Sequence, residues 1–424
     1  MDYINNVPLK EQENKKMVKT KLFIIALFLL ADSRFFYLIP LPDILGGATS
    51  NKTLVAIISL VCFIWMAALT KKLYIGNYAN LILLFYIFII FQAIFEHYEF
   101  HYAVTAVVFN TLPFLVFLMY FALGSFLRDN RDFELFCLLC EWITVFLSIC
   151  LLLQIIIYNR THVILLNFTL SDWYMIYHVT AKGRFTVVAE GFMRVSILLS
   201  FYNILNRSKM DKWKRKLAIL SFLLGLAAVV FVDQSRMYVI QCVIVLLFMY
   251  FIAKKNNISV STVLSAIFLT LIAIILLSSK FSSILNTLGD SSNGSNYARF
   301  GAINYYLSII NHYLFTGIGI VIPDEGTIEY FFVKGAQGIY NFDDIGIFGI
   351  LASMGILMVA WYLFIIVKNF RLSFLAGDRN RRALALGLSL MMLTGILTAS
   401  YLDKERLMAL VLTMAIIDFC AKES

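Results

Sequence analysis

The residues able to do chemistry are few in this chain, and they fall in three places. The richest stretch runs from Lys280 to Gly355. It carries Arg299, His312, the glycines Gly317 and Gly319, and the acidic pair Asp343 and Asp344. A second stretch, GRFTVVAEGFMRV, holds Arg184, Glu190 and Arg194, and a third, VDQSRMYVI, holds Arg236. Arginine presents a planar fork that grips phosphate oxygens in pairs, which the point charge of lysine does not. A carboxylate within reach of a hydroxyl can take its proton. Arginines and carboxylates together therefore suit a substrate that bears phosphate and a step that moves a proton. No histidine–cysteine or acidic grouping has metal-ligand spacing, so no metal and no cofactor are expected.

Each of these residues also has a plainer role. Glu190 and Arg194 stand at i and i+4, glutamate first, and can pair along one helix face. Asp343 and Asp344 fall where a helix N-cap belongs. Ser235 or Asp233 can cap the next helix, which leaves Arg236 in a first turn where the macrodipole disfavours a cation. Arg299 can contact lipid phosphate, and His312 can be an ordinary polar residue. The segment from Tyr297 reads as an amphipathic helix. Phe300, Ile303, Leu307, Ile310 and Leu314 form its apolar line, and Asn304, Ser308 and Asn311 its polar line.

The elements that must position these residues are set by composition. The chain has 424 residues, 61% hydrophobic and 14% charged. Soluble domains lie near 45–50% apolar and about 25% charged. This chain belongs in a bilayer. Apolar runs recur near 22–40, 53–70, 78–96, 103–126, 133–157, 187–206, 217–232, 237–253, 261–279, 345–367, 383–400 and 407–420. The expectation is an all-α, polytopic membrane protein of about 12 transmembrane helices, since about 20 residues cross the core. It forms one integral membrane domain over 1–424, with two long extracytoplasmic loops at 158–186 and 280–344. The basic start followed by LFIIALFLL is read as an uncleaved first helix.

The charges orient the frame. Most of the 35 lysines and arginines fall in every second connection, counted from the N-terminus, with RSKMDKWKRK and KNFRLSFLAGDRNRR the densest. The positive-inside rule then places both termini in the cytoplasm. The net charge of +9 is thus an orientation signal and gives no reason to expect nucleic acid. On the opposite side the basic residues are mostly arginines, several of them next to or inside apolar runs: Arg34, Arg184, Arg194, Arg236, Arg299 and Arg406. All five histidines, His97, His101, His162, His178 and His312, fall there too. The six cysteines lie in apolar runs and read as small core residues.

The second half of the chain resembles the O-antigen polymerase and ligase superfamily of membrane glycosyltransferases. The resemblance covers roughly 184–360. It rests on Ser235-Arg236 opening a span and on Arg299 starting a helix that ends in the Gly317-Ile-Gly319 turn. It rests also on Asp344, ten intervening residues before Gly355, where the ligase branch carries a histidine. Arg184 to Glu190 resembles the R-x5-E lead of exopolysaccharide polymerases, with Gly191 in place of the expected proline. The resemblance implies a class C glycosyltransferase-like fold in a bacterial cytoplasmic membrane. It implies a polymerase that joins undecaprenyl-pyrophosphate-linked repeat units into O-antigen, capsular or exopolysaccharide on the outer face, with a ligase-type transferase as the alternative. Donor and acceptor would both be lipid-linked glycans held among membrane lipids, with chain-length regulator and flippase proteins as partners. Asp344 is the first choice as base and Glu190 the second. Arg236 and Arg299 would hold the pyrophosphate, with Arg184, Arg194, His312 and Asp343 in support. A lipid-linked sugar or polysaccharide transporter is the competing class, and a cell-wall scaffold a third.

Overall fold

A computed structural model describes residues 6–40, 48–71, 74–166, 176–179, 182–185, 189–206, 210–233, 235–254, 293–323, 327–396 and 400–422. In chain order its elements are helix α1 (Asn6–Asp32), α2 (Ala48–Thr70), α3 (Ala79–Glu99), α4 (Val104–Thr111), α5 (Met119–Phe126) and α6 (Asn130–Thr161). A hairpin follows, β1 (Ile176–Val179) and β2 (Lys182–Phe185). Then come α7 (Glu190–Leu205), α8 (Lys212–Ala228), α9 (Arg236–Lys254), α10 (Asn293–Ile309) and α11 (Ile328–Lys334). The chain closes with α12 (Ile347–Phe374), α13 (Arg379–Gly395) and α14 (Leu407–Lys422).

The protein is an all-α, multi-pass membrane protein. Among the described residues seven helical stretches are long and apolar enough to cross a bilayer: 52–70, 79–99, 104–126, 130–161, 212–233, 237–254 and 347–374. Helices also stand at the expected first, sixth, eleventh and twelfth runs. Of these, α7, α13 and α14 have 16, 17 and 16 residues. At 1.5 Å per residue they reach only about 24–26 Å, short of a roughly 30 Å core. The expected run 261–279 lies outside the described residues.

Several boundaries differ from the sequence reading for local reasons. The first helix ends at Asp32, not near residue 40. Arg34, Phe35, Phe36 and Tyr37 all have positive φ (48°, 50°, 61° and 59°), which no right-handed helix continues through. The fourth run breaks into α4, a 3-10 turn over Leu112–Leu118, and α5. Pro113 lies in that turn, where its ring removes a donor and crowds the preceding carbonyl. Part of the 158–186 loop is not irregular. β1 and β2 pair antiparallel, with Tyr177 opposite Arg184 and His178 opposite Gly183.

The chain forms two compact units. The first comprises residues 1–79, 113–234 and 411–419. Here α6, α7 and α8 pack around a file of polar side chains. The Thr144 and Ser196 hydroxyls meet, as do those of Ser200 and Ser221, and Asn203 Nδ2 donates to Glu141 Oε1 at 2.7 Å. Further along, Asp418 of α14 gathers donors from distant parts of the sequence. Its Oδ2 accepts the hydroxyls of Tyr74 at 2.6 Å and Tyr120 at 2.5 Å, and its Oδ1 accepts the Asn77 amide. A Cβ on Gly76 would lie 2.1 Å from Asp418 Oδ2, so this close approach needs glycine.

The second unit comprises residues 80–112, 235–410 and 420–424. Trp361 Nε1 of α12 donates to the Leu81 carbonyl of α3 at 2.9 Å, and the Phe85 and Trp361 rings meet at 4.9 Å. Gln241 of α9 donates to the Thr394 carbonyl of α13 at 3.1 Å. Over the start of α12 sits a cap made of α10, α11 and their connecting turns. Its core is Ala302, Tyr306, Ile318, Ile345 and Ala352.

Candidate functional site

The cap of the second unit is joined to α12 through backbone, and glycines make this possible. α12 is interrupted at Gly355, whose φ is 74° and ψ −177°. That break frees the carbonyls of Ala352 and Ser353. The turn Gly317-Ile318-Gly319 takes them: Ile318 N donates to Ala352 O at 2.7 Å and Gly319 N to Ser353 O at 3.1 Å. In return Ile356 N donates to Leu314 O at 2.8 Å. The backbones come so close that a Cβ on Gly317 would lie 2.5 Å from Met354 N, and one on Gly355 2.3 Å from Phe315 O.

The turn is fixed from its other side by Glu96, at the end of α3. Glu96 is fully buried. Its Oε1 accepts Ile320 N at 2.9 Å and its Oε2 accepts Val321 N at 3.2 Å. Gln92, one turn earlier, donates to Oε1 at 3.1 Å. Gly319, with φ of 101°, leaves room for this carboxylate, which a Cβ there would approach at 2.9 Å. Neither Glu96 nor its partner Gln92 stood out in the sequence. The signal was there as an i, i+4 polar pair inside an apolar run.

On this frame stand Arg299, His312, Asp343 and Asp344. Arg299 is exposed in the second turn of α10, and His312 is exposed in the 3-10 turn that ends it. The apolar line expected for α10 divides. Ile303 and Ile310 pack inward with Ala302 and Tyr306, whereas Phe300, Leu307 and Leu314 are exposed. The buried face is the one centred on Ala302, Tyr306 and Ile310, spaced by four. The aspartates lie in a 3-10 turn, Phe342–Asp344, packed on the same core through Phe342. Its ring meets that of Tyr306 at 5.0 Å.

Neither aspartate caps α12, contrary to the sequence reading. The N-cap is Gly346, at φ 58°, and no side chain bonds the first-turn amides. The chain enters the helix through that left-handed residue, which sets the acids two and three places ahead of it. Both aspartates are exposed. Asp343 keeps an open side, while the protein packed around the rest of it strips water and raises its carboxyl above the usual range. Lys404 and Arg406 pull the other way.

Further charges collect around this turn. Lys404 is half-buried and donates to Asn110 Oδ1 at 2.7 Å. Burial lowers its ammonium, against the pull of Asp343, Asp403, Glu96 and Glu405. Arg406 pairs with Asp403, and Lys334 with the Asn341 side chain. Burial likewise lowers Lys334, opposed by Asp343 and Asp344. Lys334 and Lys404 were missed in the sequence because nothing in their spacing marks them.

Arg236 opens α9 in this same unit, where the backbone bond from Val239 N to Ser235 O starts the helix. The other candidates lie in the first unit. Arg194 is buried and binds Glu190 through Nε and a terminal nitrogen, the pair that their spacing implies. Arg184 is on β2, which packs against α6 and the π turn Val229–Asp233. Among the described residues no group of three or more histidine, cysteine or acidic side chains could hold a metal ion. Compared with protein-family models and with curated proteins, the sequence matches none.

Proposed function

We propose that this protein is a polysaccharide polymerase of the bacterial cytoplasmic membrane. It would join undecaprenyl-pyrophosphate-linked oligosaccharide repeats on the outer face, with about 12 spans and both termini in the cytoplasm. One observation carries most of the weight. Asp343 and Asp344 stand on an exposed turn with no capping duty, on the same packed core as the helix that bears Arg299. A polar turn held this firmly at the end of a span, with acid and arginine both presented outward, suits substrate rather than folding.

In this reading the acceptor hydroxyl attacks the anomeric carbon of the donor glycan. Its proton passes to Asp344. The bond to pyrophosphate breaks, and the charge that grows on the leaving group is met by Arg299 and Arg236. Asp343 and His312 would serve binding. Chain-length regulator and flippase proteins would be its partners.

The test uses purified protein in detergent with lipid-linked repeat units. Wild type should lengthen the glycan, and Asp344→Asn should bind donor but not extend it, since a base acts only in the chemical step. Growth that persists in Asp344→Asn would remove Asp344 from the mechanism. A transporter is the second reading. It is favoured by the polar file of Glu141, Thr144, Ser196 and Asn203 at membrane depth, where polar groups commonly mark a pathway. A transporter returns the substrate unchanged in detergent.

A further inference from the structure

Against α10, and just ahead of the two aspartates in sequence, stands a tyrosine that the fold takes trouble to present. Tyr340 ends a short loop after α11. Gly338 N bonds Gly335 O at 2.8 Å and Tyr340 N bonds Lys334 O at 2.9 Å. Two glycines flank its ring. A Cβ on Gly335, whose φ is 74°, would lie 2.3 Å from Tyr340 Cδ2. A Cβ on Gly301, two residues past Arg299 on α10, would lie 2.9 Å from the Tyr340 hydroxyl. The ring meets Tyr305, one turn further along α10, at 5.5 Å and 40°. Tyr305 and Tyr340 both remain partly open to solvent. Tyr305 is held by its own hydroxyl, which donates to Phe332 O at 2.7 Å.

A tyrosine kept only to fill the core would be covered. This one packs on the cap's core by its edges yet remains only partly buried, as Tyr305 does. Three and four residues after it come Asp343 and Asp344. We propose that Tyr340 and Tyr305, packed on the same core as the turn that carries Asp343 and Asp344, form a platform for a pyranose ring of the lipid-linked glycan. The inference rests on the polymerase reading for its substrate class. Its chemistry is that of the pair itself. A sugar ring has an apolar C–H face and a rim of hydroxyls. Aromatic faces carry negative charge that favours such C–H groups, and a phenol at the edge can bond the rim. An acyl chain would not use both features.

The probes are methyl glycosides of glucose, galactose, N-acetylglucosamine and rhamnose, with inorganic pyrophosphate as comparator. Binding to the purified full chain is read by saturation-transfer NMR. At least one glycoside should receive saturation on its C–H face. Aromatic contacts of this kind are worth about 0.5–1.5 kcal/mol, or about twofold to tenfold in affinity. Tyr340→Leu keeps the wedge filled but removes the aromatic face, and should weaken glycoside binding by that factor. Tyr340→Phe keeps the face and should weaken it less. Pyrophosphate binding should be the same in all three proteins. Glycoside binding that is undetectable in wild type, or unchanged in Tyr340→Leu, overturns the platform even where chain growth is normal. Binding lost in Tyr340→Leu, in a protein that never extends a glycan, keeps the platform and removes the polymerase reading instead.

Discussion

Replacing Gly355 by alanine tests the joint between α12 and the cap more sharply than any change at the charged residues. The residue sits at φ 74° and ψ −177°, a region that side chains other than glycine enter at a cost of about 1–3 kcal/mol. The new Cβ would lie 2.3 Å from Phe315 O, 2.4 Å from Phe315 C and 2.6 Å from Thr316 N. These are backbone atoms and cannot swing aside. The turn must lift from the helix, which breaks the bonds of Ile318, Gly319 and Ile356. Each is worth about 0.5–1.5 kcal/mol net. Together the two effects come to roughly 3–7 kcal/mol, a large share of the usual stability of 5–15 kcal/mol. The assay is hydrogen–deuterium exchange of the peptides spanning 314–319 and 352–357 in detergent. A loss of 3 kcal/mol raises the open population by about a hundredfold, with exchange faster by the same factor. Gly395→Ala is the control. Its Cβ would meet nothing nearer than Tyr401 Cε1 at 3.6 Å, and it should exchange as wild type. Unchanged exchange in Gly355→Ala, or equal damage from Gly395→Ala, would refute the argument.

Glu96→Gln offers one acceptor oxygen where two backbone amides need oxygens, and turns an NH2 toward one of them. The buried donor left unpaired should cost about 1–3 kcal/mol, read as a lower melting temperature and faster exchange at Ile320 and Val321. Arg299→Lys should slow chain growth nearly as much as Arg299→Ala, by about 10²–10³, because the fork is lost in both. Full-length polymer at normal protein level in Arg299→Ala cells would rule out that role. For orientation, impermeant thiol reagent added outside should label cysteines placed at Asn293 and Ser171 and miss those at Lys212 and Arg379. Outside labelling at Lys212 would end the proposed topology.

Hydropathy alone reads most of this frame, because burial in lipid forces every backbone group into helix and leaves little choice of structure. Ile347–Phe374 and Asn130–Thr161 were legible for that reason. The ends of helices were not, because they depend on single dihedrals. Nothing in RFFY announces four residues of positive φ, and only the chain's return makes Gly346 the entry to α12. The glycines Gly317, Gly319 and Gly355 were visible as spacing, yet their reason is a contact between the segments 314–319 and 352–356, distant in sequence, which no local pattern encodes. The face of α10 was misjudged because apolar residues stand on both of its sides, and hydropathy cannot say which side meets protein. Glu96 and Lys404 were missed for a related reason. Their partners come from the turn after α10, from α4 and from the 3-10 turn of Asp343, and a lone charge in sequence does not name them.

The Asp418 cluster has a consequence for how the chain is made. Its donors Tyr74, Asn77 and Tyr120 emerge from the ribosome 298–344 residues before the carboxylate that satisfies them. At about 5–20 residues per second the earliest segments wait roughly 15–70 seconds for their partner. Over that interval two phenols and an amide must stay with water, headgroups or a chaperone. The first unit therefore cannot close until the last helix is inserted. Synthesis that stalls before Asp418 should leave a chain that quality-control proteases recognise as open, however complete its other helices are.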